Sequence, residues 1–105
     1  MPPSVTDEQL AAQLKALAHP ARLKILELLA NRGDCICGEI VSVLPLTQST
    51  VSQHLKILKE AGLLVGTIDG TRSCYSLDGR AFGMLRRSLA KRLSVFEASE
   101  QPQDG

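Results

Sequence analysis

Aromatic side chains are almost missing from this chain, which holds no Trp, one Tyr and two Phe in 105 residues. Proteins that grip single-stranded nucleic acid stack bases on aromatic platforms, so that class is excluded. No apolar run approaches the roughly 18 residues that a bilayer span needs, and no membrane partner is expected. The longest runs are short, as in Gly62-Leu63-Leu64-Val65. The amino end, Met1-Pro2-Pro3-Ser4-Val5-Thr6, has neither a basic segment nor an apolar stretch behind it, so no secretion signal is read there. Cysteine is scarce and odd in number, three residues, which without such a signal argues for a reducing compartment and against a disulfide scaffold. The expected location is the cytoplasm. Net charge is also small, at +1. Taken alone, that value speaks against nucleic acid, because binding domains usually carry a strong basic excess. No Ser is paired with a His and a carboxylate at useful spacing, and no general base stands near the cysteines in sequence. No enzyme is expected.

What remains is a chain of one domain, residues 1–105, with an ordinary 44% of apolar residues and 22% of charged ones. Thr6-Asp7-Glu8-Gln9 is a capping box ahead of Leu10, Leu14 and Leu17, which predicts a first helix over about residues 7–18. Pro20 suits the first position of a second helix, crowded with Leu23, Ile25, Leu26, Leu28 and Leu29 and closed by Asn31-Arg32-Gly33. Asp34-Cys35-Ile36-Cys37 reads as an extended segment before a brief third helix, Gly38 to Leu44, stopped by Pro45. Thr47 caps a fourth helix running to Ala61, with Gly62 just past its end. Strands at Leu63–Ile68 and Thr71–Leu77 flank Asp69-Gly70, a strong hairpin signal. Asp78 caps a fifth helix from Gly79 to about Glu97, and residues 98–105 form a polar tail. The expected fold is mainly α with a small β-hairpin. A helix-turn-helix spans 38–61, a wing 63–77 and a terminal helix 79–97.

The fourth helix has two unlike faces. At 100° per residue, Val51, Leu55 and Leu58 share one stripe, while Ser49, Ser52, Gln53 and Lys56 lie opposite. A face made only for solubility tends to carry Glu and Lys four residues apart. This one carries short hydroxyls and amides near the helix start, groups that approach phosphates and base edges closely. Thr47, Gln48, Ser49, Thr50, Ser52 and Gln53 are the expected base-edge and phosphate contacts, with Lys56 on phosphate and Arg72 at the minor groove beside the wing.

With these motifs the sequence resembles the ArsR/SmtB family of bacterial winged-helix repressors over about residues 10–90. The likeness is carried by Leu17-Ala18-His19-Pro20-x-Arg22-Leu23-x-Ile25-Leu26 and by Gln48-Ser49-x-Val51-Ser52-x-His54-Leu55-x-x-Leu58 with Ala61-Gly62-Leu63. The wing segment Asp69-Gly70-x-Arg72-x-x-Tyr75 matches as well. The resemblance implies a homodimer through the terminal helices, major-groove binding of a palindromic operator, and release on binding an inducer. The residues favour that dimer too: Leu10 and Leu14 on the first helix and Phe82, Leu85, Leu89, Leu93 and Phe96 on the last form apolar seams that a core this small leaves without cover.

His19 and His54 are read as structural hydrogen-bonding residues rather than metal ligands. The family's zinc sensors use Asp, His and Glu on the last helix, where this chain has no His, so that site is not expected. Cys35-Ile36-Cys37 puts two thiols on one side of an extended segment, about 7 Å apart by Cα. The family's arsenic and antimony sensors carry Cys-Val-Cys-Asp-Leu-Cys here, and Ile40 replaces the third cysteine. Cys74, in the second wing strand, is the candidate replacement ligand. The expected inducer is arsenite or antimonite, with Cd(II) or Pb(II) as further thiophilic candidates, and no cofactor is needed for folding. The alternative is a redox or reactive-sulfur sensor using the same cysteines, disfavoured because an i,i+2 disulfide strains the backbone.

The small net charge conceals an uneven distribution. Residues 9–96 hold twelve Lys and Arg against six Asp and Glu, and Arg80, Arg86, Arg87, Lys91 and Arg92 all fall on the last helix with no acid among them. The acids lie disproportionately at the ends. A basic body of this kind can steer DNA at moderate salt.

Overall fold

The computed structural model describes residues 5–32, 37–69 and 72–99. The first helix, α1 (Asp7–Leu17), starts at the expected capping box. The Thr6 hydroxyl accepts from the Gln9 N–H at 3.1 Å, and the Gln9 side chain accepts from the Thr6 N–H at 3.0 Å. Two orphan amides are thereby satisfied reciprocally. Helix α2 (Pro20–Arg32) begins on its proline, and the His19 ring caps it, Nδ1 accepting from the Ala21 N–H at 3.1 Å. Ile25, Leu26 and Leu29 are buried as a central helix requires, but Leu23 is 47% exposed, so the apolar crowding of α2 exceeds its packed face.

Helix α3 (Cys37–Val43) starts at Cys37 rather than Gly38. The extended segment expected just before it lies largely outside the described residues. After Pro45, Thr47 caps α4 (Gln48–Glu60), accepting from the Thr50 N–H at 3.3 Å. The end of α4 is a Schellman motif: Gly62 takes φ +81°, its N–H reaches the Lys59 carbonyl at 2.9 Å, and the Leu63 N–H reaches that of Leu58 at 3.1 Å. Leu58 and Leu63 are both fully buried, the apolar contact that accompanies this motif.

Strands β1 (Leu64–Asp69) and β2 (Arg72–Leu77) pair antiparallel from Leu64↔Leu77 to Asp69↔Arg72. The connection is therefore 70–71, one residue later than the Asp69-Gly70 turn expected, and those two residues lie outside the described ones. Burial of Leu64 and Tyr75 sets this register, because a one-residue slip would turn both outward. Helix α5 (Gly79–Ala98) is capped by Asp78, whose carboxylate accepts from the Ala81 N–H at 3.0 Å.

α2 and α3 pack on β2, α4 packs on β1, and α1 lies against α2, α4 and α5. Ile25, Leu29, Ile40, Leu58 and Leu63 form the fully buried centre. The far half of α5 does not rejoin it: Leu93 is 52% exposed and Val95 and Phe96 each 62%. The radius of gyration, 16.6 Å, accordingly exceeds the roughly 13 Å of a compact chain this long. Among the described residues no helix is long and apolar enough to cross a membrane.

Candidate nucleic-acid interface

On α4 the division into two faces is realised in burial. Val51, Leu55 and Leu58 are sunk in the core, and His54 beside them is also buried. Thr47, Gln48, Ser49, Ser52, Gln53 and Lys56 are exposed, and Thr50 is half-buried. The helix start is thus a polar, solvent-facing end, and a helix start is the place on a helix that favours phosphate. The hydroxyls there are ordered by each other: Thr47 Oγ1 lies 2.9 Å from Thr50 Oγ1 and 3.3 Å from Ser49 Oγ. Thr50 is held in the cap and has less free surface than the other six. Lys59, one position off the exposed stripe, is committed elsewhere, its Nζ donating to the Gly66 carbonyl at 2.8 Å. That bond ties the last turn of α4 to the wing. Arg72 opens β2 opposite Asp69, and its side chain lies outside the described part.

The two histidines form one cluster with Arg22. Their rings are 4.6 Å apart and tilted by 57°, and Arg22 Nε donates to His54 Nδ1 at 3.2 Å. Arg22 Nη1 also donates to the carbonyls of Ala16, at 3.2 Å, and Lys15, at 3.4 Å, near the end of α1. One side chain on α2 therefore ties α1 to the reading helix. Nδ1 of each histidine is thus engaged, by the Ala21 N–H and by Arg22 Nε respectively. Sequence reasoning missed the role of Arg22, since its partners lie 6, 7 and 32 residues away in the chain.

Because Nδ1 of His54 accepts a hydrogen bond, it carries no proton. Burial first, then His19 and the Arg22 guanidinium, lower the pKa of His54 below the usual 6.5. The unfolded chain then takes up a proton before the folded one does. Stability is held above pH 6.5, begins to fall there, and goes on falling until the pH has passed the lowered folded value. The urea midpoint should drop on acidification from about pH 7 to about pH 5, and His54→Gln should remove this component. A midpoint as sensitive to pH in His54→Gln as in the wild type would contradict the assignment.

The cysteines divide differently. Cys74 is half-buried on β2 with Thr67 as its Cα partner, on the strand against which α3 packs, and Cys37 is the first residue of α3. Cys35 and the Cys37 side chain lie outside the described residues. Of the residues expected at a dimer interface, Leu10 and Leu85 are buried in the chain's own core, while Leu14, Phe82 and Leu89 pack partly against it. Leu93 and Phe96 are the seam residues left open, joined by Val95, which the periodicity did not select.

Comparison with known proteins agrees with this architecture. The family model for bacterial regulatory proteins of the arsR family matches residues 19–65, from the start of α2 into β1. The HTH-type transcriptional regulator YgaV of Escherichia coli is 37% identical over 82 residues, 78% of this chain and 83% of that one. The homodimeric winged helix-turn-helix DNA-binding domain Mb0332 of Mycobacterium bovis, a possible ArsR-family regulator, superposes with a TM-score of 0.63 at 31% identity, covering 93% of this chain and 88% of that one. A possible transcriptional regulator for arsenical resistance gives a TM-score of 0.68 at 29% identity, covering 87% and 98%. The chain belongs to the ArsR family, and is a DNA-binding transcriptional regulator of the winged helix-turn-helix kind.

Proposed function

We propose that the chain is a homodimeric repressor that holds a palindromic operator through two copies of α4 and releases it when a thiophilic inducer engages Cys35, Cys37 and Cys74. The observation that carries the DNA-reading part is the open polar face of α4, Gln48, Ser49, Ser52, Gln53 and Lys56, on a helix whose other face is buried. Two such helices, related by a two-fold axis, meet successive major grooves about one helical turn apart. The dimer is supported by the uncovered apolar residues Leu93, Val95 and Phe96 and by the homodimeric relative.

For the inducer, the support is donor chemistry and placement. Three thiols are the soft donors that As(III) or Sb(III) prefer over oxygen ligands, with Cd(II) and Pb(II) as further candidates. Cys74 stands on the strand that α3, headed by Cys37, packs against. A solved relative is described as a possible regulator for arsenical resistance. A bound ion would supply a link between the head of α3 and the wing. Since α3 also packs on α4, a shift of α3 is felt at the reading helix, and DNA affinity falls by the coupling free energy.

The test is a titration of reduced protein onto operator DNA with arsenite, Cd(II) or oxidant. Release by arsenite that is lost in Cys35→Ser supports the reading, and release by oxidant alone favours the redox alternative. Absence of DNA binding under every condition would overturn the repressor. Arsenite affinity unchanged in Cys74→Ser would remove that residue from the site.

A further inference from the structure

The wing is attached to the reading helix at two heights. At its base the Leu63 N–H bonds the Leu58 carbonyl, and the Asp78 N–H closes the hairpin on the Leu63 carbonyl at 3.0 Å. Bonded and non-bonded pairs alternate along an antiparallel ladder. Counted from the Asp78 bond, Gly66 and Tyr75 form a non-bonded pair, so the Gly66 carbonyl points away from β2 toward the open edge of β1. The second attachment is made there, where Lys59 Nζ donates to this carbonyl at 2.8 Å.

Lys59 lies about 20° from Ser52 around α4, just beyond the polar stripe. Left free, it would be one more cation beside Lys56 for DNA phosphate. Instead it is half-buried, and its charge-assisted bond is made within the protein. On the core side Gly66 leaves its side-chain space to Tyr75, whose Cδ1 stands 3.0 Å from where a Cβ would be. Tyr75 is itself buried. The hairpin is thus held from the core by Tyr75 and from its open edge by Lys59. Beyond Gly66 the strands run on to the Asp69↔Arg72 pair, about 10 Å further. A small change of angle at Gly66 is therefore a larger displacement at the Arg72 end.

We propose that Lys59 is a positioning residue for DNA binding. Its bond to Gly66 sets the angle between wing and α4, so that Arg72 meets the minor groove while α4 occupies the major groove, and Lys59 itself does not touch DNA. This rests on the placement of α4 and Arg72 proposed above. With both elements held in one arrangement beforehand, the ordering of the wing is not charged to the binding step.

A double-mutant cycle tests this on a duplex selected from random DNA with the wild-type chain, using Lys59→Met, Arg72→Ala and the pair. Lys59→Met keeps the aliphatic stem and removes the donor. It should weaken binding about tenfold, which is 1.4 kcal/mol, in the otherwise wild-type chain, but less than about twofold beside Arg72→Ala. Lys59→Arg, which keeps a donor, should bind within about threefold of the wild type. Without DNA, Lys59→Met should still melt cooperatively. Relaxation dispersion should then show β1 and β2 amides in microsecond-to-millisecond exchange that the wild type and Lys59→Arg lack. Losses that multiply in the pair would make Lys59 a direct phosphate contact and overturn the proposal. So would unchanged affinity in Lys59→Met, weakened affinity with the wing amides unaltered, or loss of its cooperative melt. Arg72→Ala that binds like the wild type would instead remove the wing contact itself, and this role of Lys59 with it.

Discussion

Ser52→Glu is expected to weaken operator binding at least about 100-fold, or 2.8 kcal/mol, without lowering the stability of the chain. Ser52 is exposed in the second turn of α4, on the same face as Ser49 and Gln53. If that face enters the major groove, a glutamate there brings a carboxylate toward phosphates and base-edge acceptors, and desolvates it without a partner. In the free protein the same glutamate stands four residues before Lys56, the favourable order for a helical ion pair, so stability should hold or rise by about 0.3–0.5 kcal/mol. Affinity and stability thus move in different directions, which a merely solvated face would not produce. Fluorescence anisotropy with operator DNA and thermal melting of the same samples give both numbers. Affinity within about threefold of the wild type would remove Ser52 from the interface. Lys56→Ala serves as the contrasting case, with a smaller loss, similar on all sequences, and a salt slope reduced by about 1.

Gly66→Ala should cost at least about 3 kcal/mol, the upper end of overpacking changes, and lower the melting temperature by more than about 12 °C. A Cβ built at Gly66 would stand 2.1 Å from the Cys74 carbonyl oxygen and 3.0 Å from the Cα of Tyr75. Both obstacles are backbone atoms of the paired strand, so no rotamer change relieves them. Relief requires parting β1 from β2, and that withdraws Tyr75 from the core and frees the Gly66 carbonyl from Lys59. The wing and the last turn of α4 would loosen together, so operator affinity should fall along with stability. A melting temperature within 3 °C of the wild type would show that the hairpin absorbs the methyl group in another way.

Legibility in the sequence followed the range of the interactions. The capping box at Thr6 and Gln9, Pro20 at a helix start, the Thr47 cap and the Gly62 stop are contacts within a few residues, and each stands where the sequence places it. The two-faced α4 was readable for the same reason, since a helix turns its own side chains through a known angle. The hairpin was half legible: an Asp-Gly pair announces a turn, but which residues pair depends on burying Leu64 and Tyr75 against helices elsewhere.

By its sequence alone this chain was determined to be a winged helix-turn-helix with an exposed hydroxyl and amide face on its fourth helix, because local propensity and 3.6-residue periodicity require no distant partner. The tertiary structure alone decided that Arg22 joins α1 to His54, that Gly66 admits no side chain, and that Leu10 and Leu85 belong to the chain's own core. Each of these depends on groups from separate elements meeting in space, and their sequence separation carries no trace of the meeting.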